Sequence, residues 1–478
     1  MDAQSKSLKE TTLNEIKLIF EVQKANELSL ANKPVSYRLK MLDKLLKVIN
    51  ERRNEIQDSL YKDFRKPVEE VNSTDILTVV NEIKHAKRNL KKWMKPQGVS
   101  SPIALIGTTS KIEYHPKGVS LILSPWNFPF HLSLSPLVGA IAAGCPIILK
   151  PSEISSHSAN TIKSLINNTF PKNEVFVITG GVPTATNLLS LPFRHIYFTG
   201  APEVGKIVMK AAAKNLTSVT LELGGKCPVI VDETANLKKV ASRLTWSKFI
   251  NCGQACLSTD YLIVHERVKN ELIGLIKQNI TAMYSENPKD SSDLARIVSD
   301  KHFERINSYL KDAIENNGHF ECGGKVSKVE RYIEPTIVTG LDHKAKLLKE
   351  EIFGPVLPVL TYSDKEEIPN IVSKNDQPLA IYIFSKDKNF IKYVINHTKS
   401  GGTVVNNAVL HIFNPYLPFG GVNKSGVGKG FGKESFLAFT NPRGTLYQRF
   451  PVSAVDFIHP PFTKLGKFII KTAEKYLS

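Results

Sequence analysis

Val119-Ser-Leu-Ile-Leu-Ser-Pro-Trp-Asn-Phe-Pro129 is the stretch whose reading decides the fold. It starts as an apolar run and ends in Ser, Pro and Asn, which favour turns. A strand with one wet face would alternate apolar and polar residues. An apolar run bounded by turn residues suits a strand buried on both faces of a parallel sheet. A helical pattern follows over residues 131–143, and then a second run, Pro146-Ile-Ile-Leu149, ends at Lys150-Pro-Ser-Glu153. A third, Val175-Phe-Val-Ile178, ends at Thr179-Gly-Gly181, and a fourth, His195-Ile-Tyr-Phe198, at Thr199-Gly-Ala-Pro-Glu-Val-Gly205. Strands alternating with helical patterns predict a wound parallel sheet. Such sheets bind ligands at the carboxyl ends of their strands, where the unusual residues here are gathered.

The pattern repeats downstream. Residues 218–223 read as a strand ending at Glu222-Leu-Gly-Gly-Lys226, and Pro228-Val-Ile-Val231 as another buried one. A helix over 237–249 leads into Asn251-Cys-Gly-Gln-Ala-Cys-Leu-Ser-Thr-Asp260, a segment rich in small and polar residues. The apolar run Tyr261-Leu-Ile-Val264 follows it. Residues 268–284 and 300–316 read as amphipathic helices, and 331–338 as a strand interrupted by Pro335. Glu350-Glu-Ile-Phe-Gly-Pro355 precedes an apolar run, and Ala380-Ile-Tyr-Ile-Phe384 and Gly402-Thr-Val-Val-Asn406 complete a second strand-and-helix set. Glycines then crowd into Pro418-Phe-Gly-Gly-Val-Asn-Lys-Ser-Gly-Val-Gly428, a composition suited to a loop that closes over a site.

Ahead of the first strand, residues 11–94 read as amphipathic helices with no chemistry of their own. Residues 96–109 mix Gly, Ser and Pro with apolar residues, and 111–115 alternate in polarity. This pattern predicts a hairpin that leaves the main body and packs on its own domain or reaches a partner subunit.

The chain has 478 residues and a formal net charge of +18. That length exceeds one core and predicts two domains or slightly more. The lysines are spread along the chain without a nucleic-acid signature, so the basic excess is read as a solvated face with background steering. Five cysteines do not make a disulfide framework. Cys145, Cys227 and Cys322 are expected to be packing residues. Cys252 and Cys256 lack a second Cys/His pair nearby, so no metal site is expected. The polar start, Met-Asp-Ala-Gln-Ser-Lys-Ser, does not read as a signal peptide. The longest apolar stretch, near Leu137 to Leu149, is broken by Gly144 and Pro146 and is too short to span a bilayer. A reducing, cytoplasmic setting is the expectation. The basic tail after Pro451 is partly amphipathic and is expected to pack on the body or a partner and to stay soluble, with membrane-surface contact the alternative.

A resemblance can now be named. Pro125-Trp-Asn-Phe-Pro129, Lys150-Pro-Ser-Glu153, Phe198-Thr-Gly200, Glu222-Leu-Gly-Gly-Lys226, Gly253-Gln-Ala-Cys256, Glu351-Ile-Phe-Gly-Pro355 and Asn406 occur in one order. Together, from about Gly118 to Phe439, they resemble the NAD(P)-dependent aldehyde dehydrogenase superfamily. The short lead-in, Asn251-Cys-Gly-Gln-Ala-Cys256 and the trailing His459-Pro-Pro-Phe462 resemble its class 3 branch, which acts on fatty and aromatic aldehydes. Gly430-Phe-Gly432 departs from that branch, which often places Tyr-His before the late glycine.

The resemblance implies an α/β fold with two wound parallel-sheet domains and a small β oligomerisation hairpin. The NAD(P)-binding domain would comprise 1–95 and 117–222, and the catalytic domain 223–430. The oligomerisation element would comprise 96–116 and 431–450, and the C-terminal tail 451–478. Cys256 would be the nucleophile that adds to an aldehyde, since the thiolate is the reactive form of cysteine. A lone cysteine is otherwise a small buried hydrophobe. Asn127 and the backbone N–H of Cys256 would stabilise the oxyanion. Glu222, in a Gly-rich turn that lets its side chain move, would activate the water that releases the acid. Glu351 would hold the nicotinamide ribose or share the base role, with Phe353 beside the ring and Trp126 also on the cofactor side. Lys150 and Glu153 would hold the adenine ribose, where a carboxylate favours NAD while NADP remains possible. Gly200 and Gly205 would form the phosphate-side turn. A homodimer is expected, with a small-molecule aldehyde as the other partner, no nucleic acid and no transmembrane segment. A CoA-acylating relative and a non-catalytic binding protein on the same fold are the rival readings.

Overall fold

The computed structural model describes residues 8–453 and 455–476, so the polar start at Met1–Ser7 lies outside the described residues. The quoted opening stretch becomes the strand Ser120–Leu123, followed by the helix Pro129–Ala143. Every residue of that helix is buried, which explains why it is apolar all round. Pro129 stands in its first turn, where a missing N–H costs nothing, and Gly144 ends it at a left-handed φ of 85°.

Ser120–Leu123 lies inside a six-stranded sheet. Ile147–Lys150 pairs with it on one side and His195–Gly200 on the other, both parallel. Val175–Val177 extends the first side and Ser218–Leu223 the second. The chain therefore leaves the middle strand in one direction and returns on the opposite side. That reversal opens a crevice at the strands' carboxyl ends, just where Ser124-Pro-Trp-Asn lies. The two-residue strand Gly426–Val427 closes the edge antiparallel, with Gly426 opposite Glu222.

A seven-stranded sheet forms the second layer system. Its central strands Thr336–Thr339, Val356–Tyr362, Tyr261–His265, Pro228–Val231, Ala380–Phe384 and Gly402–Val405 run parallel. The predicted strand over 331–338 is split. Tyr332–Ile333 pairs with Val326–Ser327 in a separate ribbon, and only Thr336–Thr339 joins the large sheet. Pro335, which has no N–H to give a ladder, marks the break.

The expected hairpin gains a third strand. Gln97–Val99 pairs with Thr108–Pro116, and Thr440–Gln448 zips along the other edge from Thr440 opposite Pro116 to Gln448 opposite Thr108. The tail forms the helices Val455–Ile458 and Lys464–Tyr476, which pack on each other. The tail was expected to pack on the body or a partner; in the single chain Phe462, Leu465 and Phe468 stay exposed.

Helix Pro129–Ala143 seats the helix Gly432–Ala438, which follows the Gly-rich loop. A Cβ at Gly139 would lie 2.8 Å from the backbone carbon of Ser435, so the helices touch where a side chain is absent. Gly139→Val should therefore destabilise the fold by ~1–3 kcal/mol through overpacking, read as a lower urea midpoint. An unchanged midpoint would show that the helix shifts without strain.

Candidate active site

The helix Leu237–Phe249 is capped at its start by Asn236, whose side chain accepts from the Lys239 N–H. It runs straight into a sharp bend. Asn251, Cys252 and Gly253 all have left-handed backbones, at φ 52°, 55° and 74°. Asparagine tolerates this region better than most residues, whereas cysteine does so at a conformational cost. Gly253 has no alternative, because a Cβ there would sit 2.3 Å from the Gly354 carbonyl oxygen. The bend turns Cys252 into the core and leaves Cys256 half-buried at the surface of a cavity.

Cys256 borders two cavities. One, of about 300 Å³, is also lined by Trp126, Asn127, Gly200, Glu222, Glu351 and Phe353. The other is a slim space of about 50 Å³ lined mainly by apolar groups, among them Phe128, Leu132, Trp246, Ile412 and Phe413. Seven of the sequence-predicted site residues thus meet around one space, although they come from both sheets.

Four others, Lys150, Glu153, Gly205 and Asn406, do not line it. Lys150 ends the strand beside Ser120–Leu123 and pairs with Glu153 at 3.1 Å. Gly205 lies within the helix Pro202–Ala213, where a Cβ would meet Leu223 Cδ2 at 2.8 Å. Its place is close packing of helix on strand, not the cavity surface. Asn406 borders neither cavity; its side chain ties off the strand Ala380–Phe384 through two hydrogen bonds with Ser385, at 3.0 and 2.9 Å.

The larger cavity suits the nicotinamide end of a dinucleotide, with Lys150 and Glu153 beyond its lining. Gly200 and Ala201 line it where the helix Pro202–Ala213 begins, and first-turn N–H groups have no intrahelical partner and favour phosphate. Trp126 and Phe353, with ring centroids 5.3 Å apart, offer aromatic walls to a flat ring. The Glu153 carboxylate, partly exposed beside buried Lys150, can accept from a ribose hydroxyl.

The family profile of the aldehyde dehydrogenase family matches residues 4–444. This chain belongs to the aldehyde dehydrogenase family. It is 42% identical over 437 residues to the 4,4'-diaponeurosporen-aldehyde dehydrogenase of Staphylococcus aureus (strain NCTC 8325 / PS 47), covering 91% of this chain and 94% of that one. It is 39% identical to aldehyde dehydrogenase family 3 member A2 of Pongo abelii, covering 93% and 91%. Among solved structures, the substrate-bound state of Staphylococcus aureus AldH superposes with a TM-score of 0.91 at 41% identity, covering 96% of this chain and 99% of that one. The relatives are of the class 3 type expected from the motifs, and the activity that goes with the family is NAD(P)-dependent oxidation of an aldehyde.

Within this aldehyde dehydrogenase the electrostatics of the cavity are unusual. Burial, then the neighbouring Glu351 and Glu222, push the Cys256 thiol up to about 12, against the pull of the Cys256 and Leu257 backbone N–H groups. Burial pushes Glu351 up to about 7, with Asp260 adding to it and the Gly225 N–H and Lys226 opposing. Glu222 is raised well above the usual carboxylate range by burial, opposed by Lys429. Neither of its oxygens has a hydrogen-bond partner among the described residues. The sequence placed Glu222 at the end of a strand over 218–223 but in a Gly-rich turn that would let its side chain move, and the turn part of that reading is corrected. Glu222 stands within the strand Ser218–Leu223, only 5% exposed, under Gly420 and Gly430 of the Gly-rich loop. A Cβ at those glycines would come within 2.9 and 3.3 Å of Glu222 Oε1.

Several residues around the site carried no sequence signal. His302 and Arg305 line the cofactor-side cavity from the helix Asp300–Glu315, where they read as ordinary polar positions. Lys226 forms a buried ion pair with Asp260 and donates to the Leu347 and Glu350 carbonyls, fixing the approach to Glu351.

A thiol raised this far stays protonated at neutral pH, and its thiolate fraction grows with pH without levelling off. In the cofactor-free protein, alkylation of Cys256 by iodoacetamide should therefore rise about tenfold per pH unit between pH 7 and 9. Mass spectrometry showing a rate that is flat above pH 7.5 would reveal an acidified thiol instead.

Proposed function

We propose that this aldehyde dehydrogenase oxidises an apolar aldehyde, lipid-derived or aromatic, to the free carboxylic acid. The observation that carries this is the position of Cys256 between a cavity suited to the nicotinamide end of a dinucleotide and a slim apolar one. An aldehyde whose tail fills the apolar side presents its carbonyl carbon to the sulfur. The thiolate adds to that carbon and gives a thiohemiacetal on Cys256, with the Asn127 amide and the Cys256 N–H as donors to the oxyanion. NAD, or NADP, when bound supplies the hydride acceptor. A thioester on Cys256 then takes up water, releasing acid and thiol.

Glu222 is the proposed base for that water. Its burial keeps it protonated in the closed cavity, so it acts once the Gly-rich loop and the incoming water give it polar partners. A second reading gives the role to Glu351, favoured by a carboxyl already near half-ionised at neutral pH. Lys150 and Glu153 are assigned to the adenine ribose, with NAD preferred. Residues 1–95 with 117–222 are the proposed cofactor domain, and 223–430 the catalytic one.

The three-stranded sheet is the proposed dimerisation element, with 451–478 a separate tail. Ile103, Ile106, Leu446 and Phe450 on and around the sheet expose apolar surface suited to a second copy. A cytoplasmic setting is proposed because the five cysteines need a reducing milieu to stay free. No helix among the described residues is long and apolar enough to cross a membrane.

Cys256→Ser should abolish aldehyde oxidation while NAD still binds, and Cys252→Ala should keep most activity. The reverse pattern would misplace the nucleophile. Glu222→Gln should let a thioester accumulate, seen as an acyl mass on the protein; if Glu351→Gln alone accumulates it, the second reading holds. Added CoA should leave turnover unchanged, since water is the acceptor. Along a series of straight-chain aldehydes, kcat/KM should rise about fourfold per added CH₂ until the channel is full. A preference for acetaldehyde over hexanal would refute the apolar assignment.

A further inference from the structure

The helical lead-in is not chemically silent: a buried charge cluster lies within it, beneath the cysteine loop. Lys66 is 0% exposed. Its Nζ lies 2.7 Å from Asp75 Oδ2 and 3.8 Å from Glu70 Oε1, and 4.1 Å from the centre of the Phe128 ring. The backbone here widens into a π turn over Asn72–Ile76, an irregularity that recurs at functional sites.

Each partner of Lys66 reaches the active site from a different side. Glu70 Oε1 accepts the Asn251 N–H at 2.9 Å, at the first left-handed residue of the bend. Asn251 Nδ2 in turn donates to the Asn127 carbonyl at 2.9 Å and the Gln254 carbonyl at 3.1 Å. The Asn127 amide donates to the same Gln254 oxygen at 3.1 Å. Gln254 is itself held, donating to the Asn251 and Arg296 carbonyls and accepting from the Val298 N–H. On the other side, Asp75 Oδ1 faces the His131 N–H at 3.5 Å, in the first turn of the helix that follows Asn127. The Lys66 ammonium also rests on Phe128, next to Asn127.

A largely buried ion cluster is a poor source of stability, because desolvation offsets most of its Coulomb gain; its best-attested use is to specify one geometry. We propose that Lys66 and Glu70 are positioning residues that fix Asn127 against the Asn251–Cys256 loop, setting the spacing of the two oxyanion donors. Glu70 Oε1 accepts the Asn251 N–H, which a left-handed bend would otherwise leave buried and unpaired. Burial pushes Glu70 up to about 7, and Lys66 and the Asn251 N–H pull against that rise. The inference rests on the role proposed for Cys256 and Asn127.

The test is Glu70→Ala and Glu70→Gln in the full-length enzyme, with Lys66→Met as a third variant. Glu70→Ala leaves Lys66 paired with Asp75, so the fold retains a compensated charge. Its kcat for hexanal should fall about 10–100-fold, as expected when donors are displaced by a fraction of an ångström to one. The KM for hexanal and the affinity for NAD should stay within twofold. Glu70→Gln should restore most of the loss, because its amide oxygen still accepts from Asn251, and Lys66→Met should resemble Glu70→Ala. Hydrogen exchange over residues 248–260 should quicken in Glu70→Ala. Unchanged kcat per titrated active site, with only the thermal midpoint lowered, would reduce the cluster to a structural role and overturn the proposal. Unchanged exchange over 248–260 would overturn it as well. Were the wild type inactive on every aldehyde, the proposed function would fall, while the exchange measurement would still decide whether Glu70 holds the loop.

Discussion

Two carboxyl groups and a thiol share one poorly solvated cavity, and much of the surrounding structure answers the electrostatic cost of that arrangement. Ionising all three together would place like charges side by side in low dielectric. Burial instead shifts Cys256, Glu222 and Glu351 all upward, which disfavours their charged forms. Arg305 is the charged cation that lines the cavity, and three lysines stand outside its lining. Lys226 is engaged by Asp260, Lys429 donates to the Gly420 carbonyl at 2.6 Å, and buried Lys248 has no partner among the described residues and is lowered to about 8.

The backbone carries its own share. Phe353, within the Glu351-Ile-Phe-Gly-Pro turn, has a left-handed φ of 48°, like Asn251 and Cys252 across the cavity. Gly253 and Gly354 meet face to face, since a Cβ on the first would strike the carbonyl oxygen of the second. Non-glycine residues hold such conformations only where their surroundings over-determine them. The turn that presents Glu351 and the bend that presents Cys256 are therefore locked against each other, and the distance between carboxylate and sulfur is set by backbone contact.

Much of this could be read from residues in order. The buried strands announced themselves because continuous apolar runs have few other uses, and the site residues follow them at their carboxyl ends. What escaped detection depends on partners far along the chain. The strand over 218–223 was legible, but Glu222 looked mobile because Gly224 and Gly225 follow it, whereas Thr199 and Gly426 pair with it on either side. Gly205 looked like a phosphate-loop glycine, yet Leu223 claims its space. Lys66 sat among charged residues of amphipathic helices, where a lysine is normally solvated. Only Pro67 beside it, with Glu70 and Asp75 downstream, distinguishes the position, and local spacing does not reveal burial under a loop from residue 251. His302 and Arg305 were hidden in the same way.

The roof over Glu222 is built from the chain's late residues, Gly420, Gly430 and the strand Gly426–Val427, while Glu222 itself lies before the midpoint. During synthesis the N-terminal sheet emerges and folds first. Until residues 420–430 follow, that sheet lacks the roof that encloses Glu222. A truncated product of a stalled ribosome, ending before residue 420, would thus carry Cys256 without the enclosure of Glu222.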